Sequence, residues 1–83
     1  MSYNPPPIGS IWELRDMISV RSSPSEREWS HLLGHHEIIV VTTPPRPCAG
    51  IAGQVVGILD SHGRHGWTWC TPFDQDFALR RIG

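Results

Sequence analysis

Residues 51–71, IAGQVVGILDSHGRHGWTWCT, are the stretch that decides the fold. The two runs 51–59 and 66–71 are rich in β-branched and aromatic side chains, a composition typical of β-strands. Between them, residues 60–64 (DSHGR) supply the aspartate, serine and glycine that tight turns favour. The stretch therefore predicts a β-hairpin of two antiparallel strands.

Further strands are predicted on both sides of this hairpin. Residues 37–43 are rich in β-branched side chains and predict a central strand. We expect that strand to end at the proline-rich stretch 44–47, because proline has no N–H to donate to a strand ladder. After the hairpin, Pro72 interrupts the pattern, and residues 77–82 predict a last short strand.

Residues 10–20 allow two interpretations. Ser10 and Glu13 fit the capping box of a helix. Trp12 and Leu14, in contrast, alternate with charged neighbours, as expected for a half-buried strand. We favour the strand.

Residues 24–33 predict a short helix. Ser23 fits its cap, Pro24 the first helical position, and Gly34 the residue that closes its end. The apolar side chains of the segment would share one face and dock the helix: Trp29, Leu32 and Leu33.

Together these elements predict one small domain. Residues 1–9 form an extended proline-rich lead-in, and residues 10–83 form the domain. Short strands separated by turn signals favour a mainly β (α+β) fold, a small five-stranded antiparallel barrel with one short inserted helix. Alternation along the strands predicts the core side chains: Trp12, Leu14, Ile39, Val41, Val56, Ile58 and Phe77.

The charges are balanced, with seven basic and eight acidic residues and a formal net charge of −1. This balance disfavours indiscriminate binding to duplex nucleic acid, which depends on clustered cations. All the basic residues are arginines. Arginine pairs with carboxylates and stacks on aromatic rings better than lysine does, so this usage suits a protein-contact surface, although codon bias in a GC-rich genome explains it equally well.

The sequence contains no clear set of metal ligands or catalytic groups. Cys48 and Cys70 each stand alone rather than in a C-x-x-C pair, so we expect no metal, no cofactor and no disulfide. We expect no enzymatic activity, because Asp74 and Asp76 are most simply interpreted as solvated carboxylates of a turn. No apolar run is long enough to cross a bilayer and no signal peptide opens the chain, so we expect a cytoplasmic protein.

Three segments carry a resemblance to a known class of protein: 9–16 (GSIWELRD), 55–58 (VVGI) and 69–82 (WCTPFDQDFALRRI). An opening G-x-x-W strand, a central three-stranded meander and a closing proline-containing turn with a last strand resemble the small Src-homology-3-like barrels of phages and mobile elements. The resemblance implies the barrel fold. It transfers no catalytic residues.

We therefore expect a non-enzymatic interaction protein of a phage or mobile element, acting in the host bacterial cytoplasm by binding and occluding a host protein. In its most specific form, this hypothesis makes the protein an inhibitor of a CRISPR-type nucleic-acid-targeting defence complex. An acidic patch made by Glu26, Glu28 and Glu37, or by Asp74 and Asp76, would favour it, because such proteins often cover a basic groove. The predicted partner-binding residues are Glu26, Arg27, Glu28, Arg64, Trp67, Asp74 and Asp76.

The alternative function is a single-stranded nucleic-acid-binding module. Trp67 and Trp69 share one face of their strand, and if that face is exposed they form a stacking platform beside Arg64, with Arg80 and Arg81 as further cations. We favour core packing for this face, because a small core needs bulky side chains. Thr68 and Cys70 would then point outward.

Overall fold

A computed structural model describes residues 6–26, 28, 30–47, 53–70, 73 and 78–83. These residues are mainly β-structure, and no helix among them is long and apolar enough to span a membrane. The strands that they form are β1 (Ile11–Leu14), β2 (Ile18–Val20), β3 (His31–Leu33), β4 (Ile38–Pro47), β5 (Gln54–Asp60), β6 (His65–Trp69) and β7 (Leu79–Arg81).

The strands form two antiparallel sheets. One has the order β6-β5-β4-β1-β7, and the other pairs β2 with β3. A backbone bridge joins them, in which the N–H of Arg21 and the N–H of Trp67 each donate to the carbonyl oxygen of the other, at 2.7 and 2.8 Å. The mainly β prediction is confirmed. A closed five-stranded barrel is not observed in the described ranges, where the strands divide between two sheets.

The hydrophobic core draws on both sheets. Five of the predicted core residues are buried in it: Leu14, Ile39, Val41, Val56 and Ile58. Trp12 is half-buried and packs against the core, and Phe77 lies outside the described residues. The sheet of β2 and β3 contributes three buried side chains: Ile18, Val20 and Leu33.

The strand interpretation of residues 10–20 is confirmed, with one break. The segment forms β1 and β2, which are separated by a bend at residues 15–16. Strand alternation explains why Ile18 and Val20 of β2 are buried while Ser19 between them is only half-buried.

The prediction of a helix at residues 24–33 is wrong, because the chain ends this segment in β3 and its described residues include no helix. The N–H of Glu26 donates to the carbonyl oxygen of Ser23 at 3.2 Å, and the N–H of Ser25 donates to Ser23 Oγ at 3.1 Å. These are the bonds of a β-turn with Pro24 at its second position, and serine and proline favour such turns as well as helix starts. Residues 27 and 29 lie outside the described part of the chain.

The prediction that prolines 44–47 end the central strand is also wrong, since β4 continues to Pro47. The register of β4 against β5 shifts between Val41 and Thr43 and again between Thr43 and Arg46. Such bulges, and a strand edge with no second neighbour, are the places where a sheet tolerates proline. Beyond Val41, β4 pairs only with β5 among the described residues, so the proline rings lie at an edge that no other described strand covers.

The predicted hairpin is confirmed and is held by one carboxylate. Asp60 Oδ1 accepts the N–H groups of His62 and Arg64 at 2.8 and 2.9 Å, while Oδ2 accepts Arg64 Nε at 3.0 Å. Gly63 has a φ of 80°, a left-handed conformation that glycine adopts without strain. Burial alone would raise the pKa of Asp60, but these hydrogen bonds and the nearby guanidinium outweigh it and hold the pKa below its ordinary value of 3.8.

The contact between the two sheets requires a glycine at position 66. An added Cβ there would collide with Val20 Cγ1 and would lie 3.3 Å from the carbonyl oxygen of Arg21. Gly66 therefore sets how closely β6 approaches β2.

We expect Gly66→Ala to lower the free energy of unfolding by about 1–3 kcal/mol, because Val20 or the backbone of β2 must move. The matched control is Gly34→Ala, since nothing lies within 4 Å of the Cβ position of Gly34. Urea unfolding of both variants tests the junction. Equal stability of Gly66→Ala and Gly34→Ala would contradict it.

We expect Asp60→Asn to lower the free energy of unfolding by about 1–3 kcal/mol at neutral pH, because the hairpin loses a buried charged acceptor. Since the folded pKa lies below the unfolded one, this stabilisation is present above pH 3.8 and is lost as the pH falls through the folded pKa. Urea unfolding at several pH values should show the difference between wild type and variant shrinking in acid. Asp16→Asn, at an exposed carboxylate, is the control; a wild-type to Asp60→Asn difference that is independent of pH would refute the assignment.

Candidate functional site

The candidate site is built on the outward face of β6. Gly66, Thr68 and Cys70 are buried, whereas Trp67 and Trp69 are half-buried on the opposite face. Our expectation that the tryptophans face the core, with Thr68 and Cys70 outward, is therefore wrong. The small residue Gly66 faces β2, where the close approach of the strands leaves no space for an indole ring.

The ring of each of the two tryptophans lies close to the guanidinium of one arginine. Arg21 Cζ lies 4.5 Å from the ring centroid of Trp69, and Arg46 Cζ lies 5.9 Å from that of Trp67. Both distances are within the range of cation–π attraction. We call these four residues the arginine–tryptophan face.

Strand β5 lies beneath this face, and side chains cover both faces of the strand. Val55 pairs with Arg46 on one side and with Trp69 on the other, and it is fully buried although it is not part of the central core. Directly paired residues of antiparallel strands share a face, so the arginine–tryptophan face covers Val55. Two residues further along β5, Gly57 pairs with Thr43 and Trp67, and an added Cβ at Gly57 would fall 2.6 Å from Thr43 Cβ. The face is thus a packed layer with a defined geometry.

The face is also electropositive. Arg21 is only 6% exposed; its Nη1 donates to Ser19 Oγ at 3.3 Å, and its Nε has no hydrogen-bond partner. Within the described ranges, neither Arg21 nor Arg46 forms an ion pair with a carboxylate. A buried guanidinium is poorly screened by water, so its positive potential extends over the face.

A groove of about 550 Å³ borders the face. It is lined by Pro24, Ser25, Arg46 and Pro47, so it runs between the turn after β2 and the end of β4. Arg46 belongs to both the groove and the face. The two prolines give the groove an apolar, conformationally restricted lining.

The structure brings together only some of the predicted partner-binding residues. Trp67 lies on the face, and Glu26 and Glu28 are exposed in the loop that continues from Ser25. Arg64 is exposed at the hairpin tip, where its guanidinium forms an ion pair with Asp60. The predicted residues Arg27, Asp74 and Asp76 lie outside the described residues.

Of the residues named for an acidic patch, Glu26 and Glu28 are exposed, Glu37 is half-buried, and Asp74 and Asp76 lie outside the described residues. Glu37 Oε2 accepts the N–H of Gly34 at 2.8 Å, and Glu37 Oε1 lies 3.3 Å from His62 Nε2. The Glu37 side chain therefore links the turn at Gly34 to His62 of the hairpin.

Sequence reasoning missed Arg21 and Arg46. A signal for the face was present in the uninterrupted apolar pair Val55 and Val56, because a strand with no polar alternation is covered on both sides. The pairing of each arginine with a particular tryptophan depends on contacts between distant strands, which no local pattern encodes.

A second basic region lies at the other end of the five-stranded sheet. A groove of about 380 Å³ is lined by the half-buried Trp12, the buried Phe73 and three arginines, Arg15, Arg80 and Arg81, together with Leu79. Trp12 and Phe73 pack edge to face, with their ring centroids 5.1 Å apart. Strands β5, β4 and β1 separate Arg80 and Arg81 from Trp67 and Trp69, so the predicted grouping of these arginines with these tryptophans is not formed.

No cluster of three or more histidine, cysteine or acidic side chains suited to a metal occurs within the described ranges. The chain matches no protein-family model, no curated protein and no solved structure. Any functional assignment therefore depends on the geometry of the chain itself.

We expect Arg21→Met to leave the free energy of unfolding equal or higher, because methionine fills a similar volume without the cost of burying an unpaired guanidinium. Arg21→Ala should lower it by about 1–3 kcal/mol, since it uncovers Trp69. Urea unfolding monitored by tryptophan fluorescence measures both. If Arg21→Met were as unstable as Arg21→Ala, the charge of Arg21 would be stabilising the fold, contrary to the absence of a carboxylate partner.

Proposed function

We propose that this protein is a non-enzymatic interaction protein that binds a partner protein through the arginine–tryptophan face. The observation that carries the proposal is the pairing of two half-exposed tryptophans with two arginines that lack an ion-pair partner among the described residues. Tryptophan and arginine dominate the binding energy of protein interfaces. The buried Arg21 is already held against Trp69, so its side chain loses little conformational entropy when the face binds.

We further propose that the fold is a variant of the Src-homology-3-like barrel. The support is the strand order β6-β5-β4-β1-β7, in which three successive strands form a meander and the last strand returns to pair with the first. The β2 and β3 pair is an excursion between β1 and β4. In this arrangement the predicted helix is replaced by a strand hairpin.

The more specific form of the proposal concerns origin and partner. The protein would come from a phage or mobile element and occlude a host protein in the bacterial cytoplasm, with a CRISPR-type nucleic-acid-targeting complex as the target. Its support is the sequence resemblance of residues 9–16, 55–58 and 69–82. A DNA-binding assay of purified complexes of this type, with and without the protein, tests this form separately.

Capture of proteins from a bacterial lysate tests the main proposal. The baits are the wild type, Trp67→Ala, Arg46→Ala and the control Arg80→Ala, which removes an exposed arginine at the other end of the sheet. We expect one stoichiometric partner on the wild type and on the control, reduced about tenfold or more on the two face variants. Equal capture by all four folded baits would refute the proposal, as would the absence of a partner.

The basic region around Trp12 favours a second candidate function, binding of single-stranded nucleic acid. Arginines beside a partly exposed indole are the elements from which such sites are made. A gel shift with single-stranded DNA at low and high salt should then show strong salt dependence and loss of binding in Arg80→Ala. Binding that is abolished by Arg46→Ala and unaffected by Arg80→Ala would exclude this site.

A further inference from the structure

The geometry of Arg46 makes it suitable for binding a carboxylate. Its guanidinium lies over Trp67, the residue as a whole is exposed, and it forms no ion pair within the described ranges. Its N–H groups meet no carboxylate in the described ranges, and the planar fork of a guanidinium matches the two oxygens of a carboxylate. The indole of Trp67, 5.9 Å away, adds a cation–π attraction that favours this position of the charged group.

Two neighbouring features extend this site. The buried charge of Arg21, on the same face, adds positive potential that water screens poorly. The groove that Arg46 lines together with Pro24 and Pro47 offers apolar contacts. An occupant would therefore place a negative group on Arg46 and apolar side chains beside it.

From these features we infer that the arginine–tryptophan face and its groove bind an extended segment of the partner protein, with one aspartate or glutamate side chain on Arg46 and apolar side chains between the prolines. This inference rests on the proposed function and specifies the chemistry of the partner.

The same observations disfavour a nucleic-acid strand at this face. Arg21 Cζ lies 4.5 Å from the ring centroid of Trp69, so this arginine occupies a ring surface on which a base would stack.

Selection from a displayed library of random peptides tests the inference. The wild type, Arg46→Gln and the control Arg80→Gln serve as parallel baits, and circular dichroism confirms that each is folded. We expect the wild type and the control to enrich peptides with one acidic residue flanked by apolar residues or proline, and Arg46→Gln to enrich none of them. No enrichment on the wild type, or enrichment of peptides without an acidic residue, would overturn the inference.

The enriched peptide is then synthesised in two forms, one with its acidic residue and one with the corresponding amide. Titration followed by tryptophan fluorescence should give a dissociation constant about tenfold weaker for the amide form on the wild type, and no difference between the forms on Arg46→Gln. Equal affinity of the two forms for the wild type would overturn the inference. The inference would also be overturned if the C-terminal carboxylate of the peptide, rather than its acidic side chain, accounted for binding. Displacement of the peptide by single-stranded DNA whose own binding depends on Arg46 would overturn it as well.

The two proposals fail in distinguishable ways. If a partner is captured through Trp67 and Arg46 but the acidic residue has no effect, the face binds a partner of different chemistry and only the inference is wrong. If capture does not depend on these residues, the proposed function is wrong.

Discussion

The close approach of β2 to β6 is the constraint on which the rest of the structure depends. It requires that position 66 carry no side chain, because Val20 occupies the space that a Cβ would need. The reciprocal backbone hydrogen bonds between Arg21 and Trp67 form at the same place. They join the two sheets and so enclose the core that both of them line.

The orientation of β6 follows from this junction. With Gly66 against Val20, strand alternation places Thr68 inward and Trp67 and Trp69 outward. Thr68 satisfies its buried hydroxyl by donating to the carbonyl oxygen of Ser19 at 2.8 Å, which adds a second link to the β2 segment. The contact that completes the core therefore also creates the arginine–tryptophan face on the reverse side, because Arg21 directly follows β2 and lies over Trp69.

Local signals in the sequence predict the parts of the fold that local interactions determine. The hairpin at residues 60–64 is an example, since one carboxylate and one glycine organise it within five residues. The core positions Ile39, Val41, Val56 and Ile58 are predicted for the same reason, because alternation is a property of neighbours in sequence. The segment at residues 24–33 shows the opposite case. Its serine and proline suit both a turn and a helix start, and pairing of β3 with β2 decides between them.

The candidate site is less predictable than the fold because its geometry depends on contacts between residues far apart in the chain. Trp67 was identified from the sequence, but its arginine partner Arg46 lies two strands away, and Arg21 reaches Trp69 from the other sheet. The face that the tryptophans occupy depends on the single contact between Gly66 and Val20. A sequence pattern shows that Trp67 and Trp69 share a face, whereas only the junction shows which one.

The most direct test of this account is a nuclear Overhauser spectrum of the folded protein that locates the indole protons of Trp67 and Trp69. The account predicts cross-peaks from Trp69 to the side-chain protons of Arg21, with those protons shifted upfield by the ring current. Cross-peaks from either indole to the methyl groups of Val56 and Ile58 would place the tryptophans in the core and contradict the account.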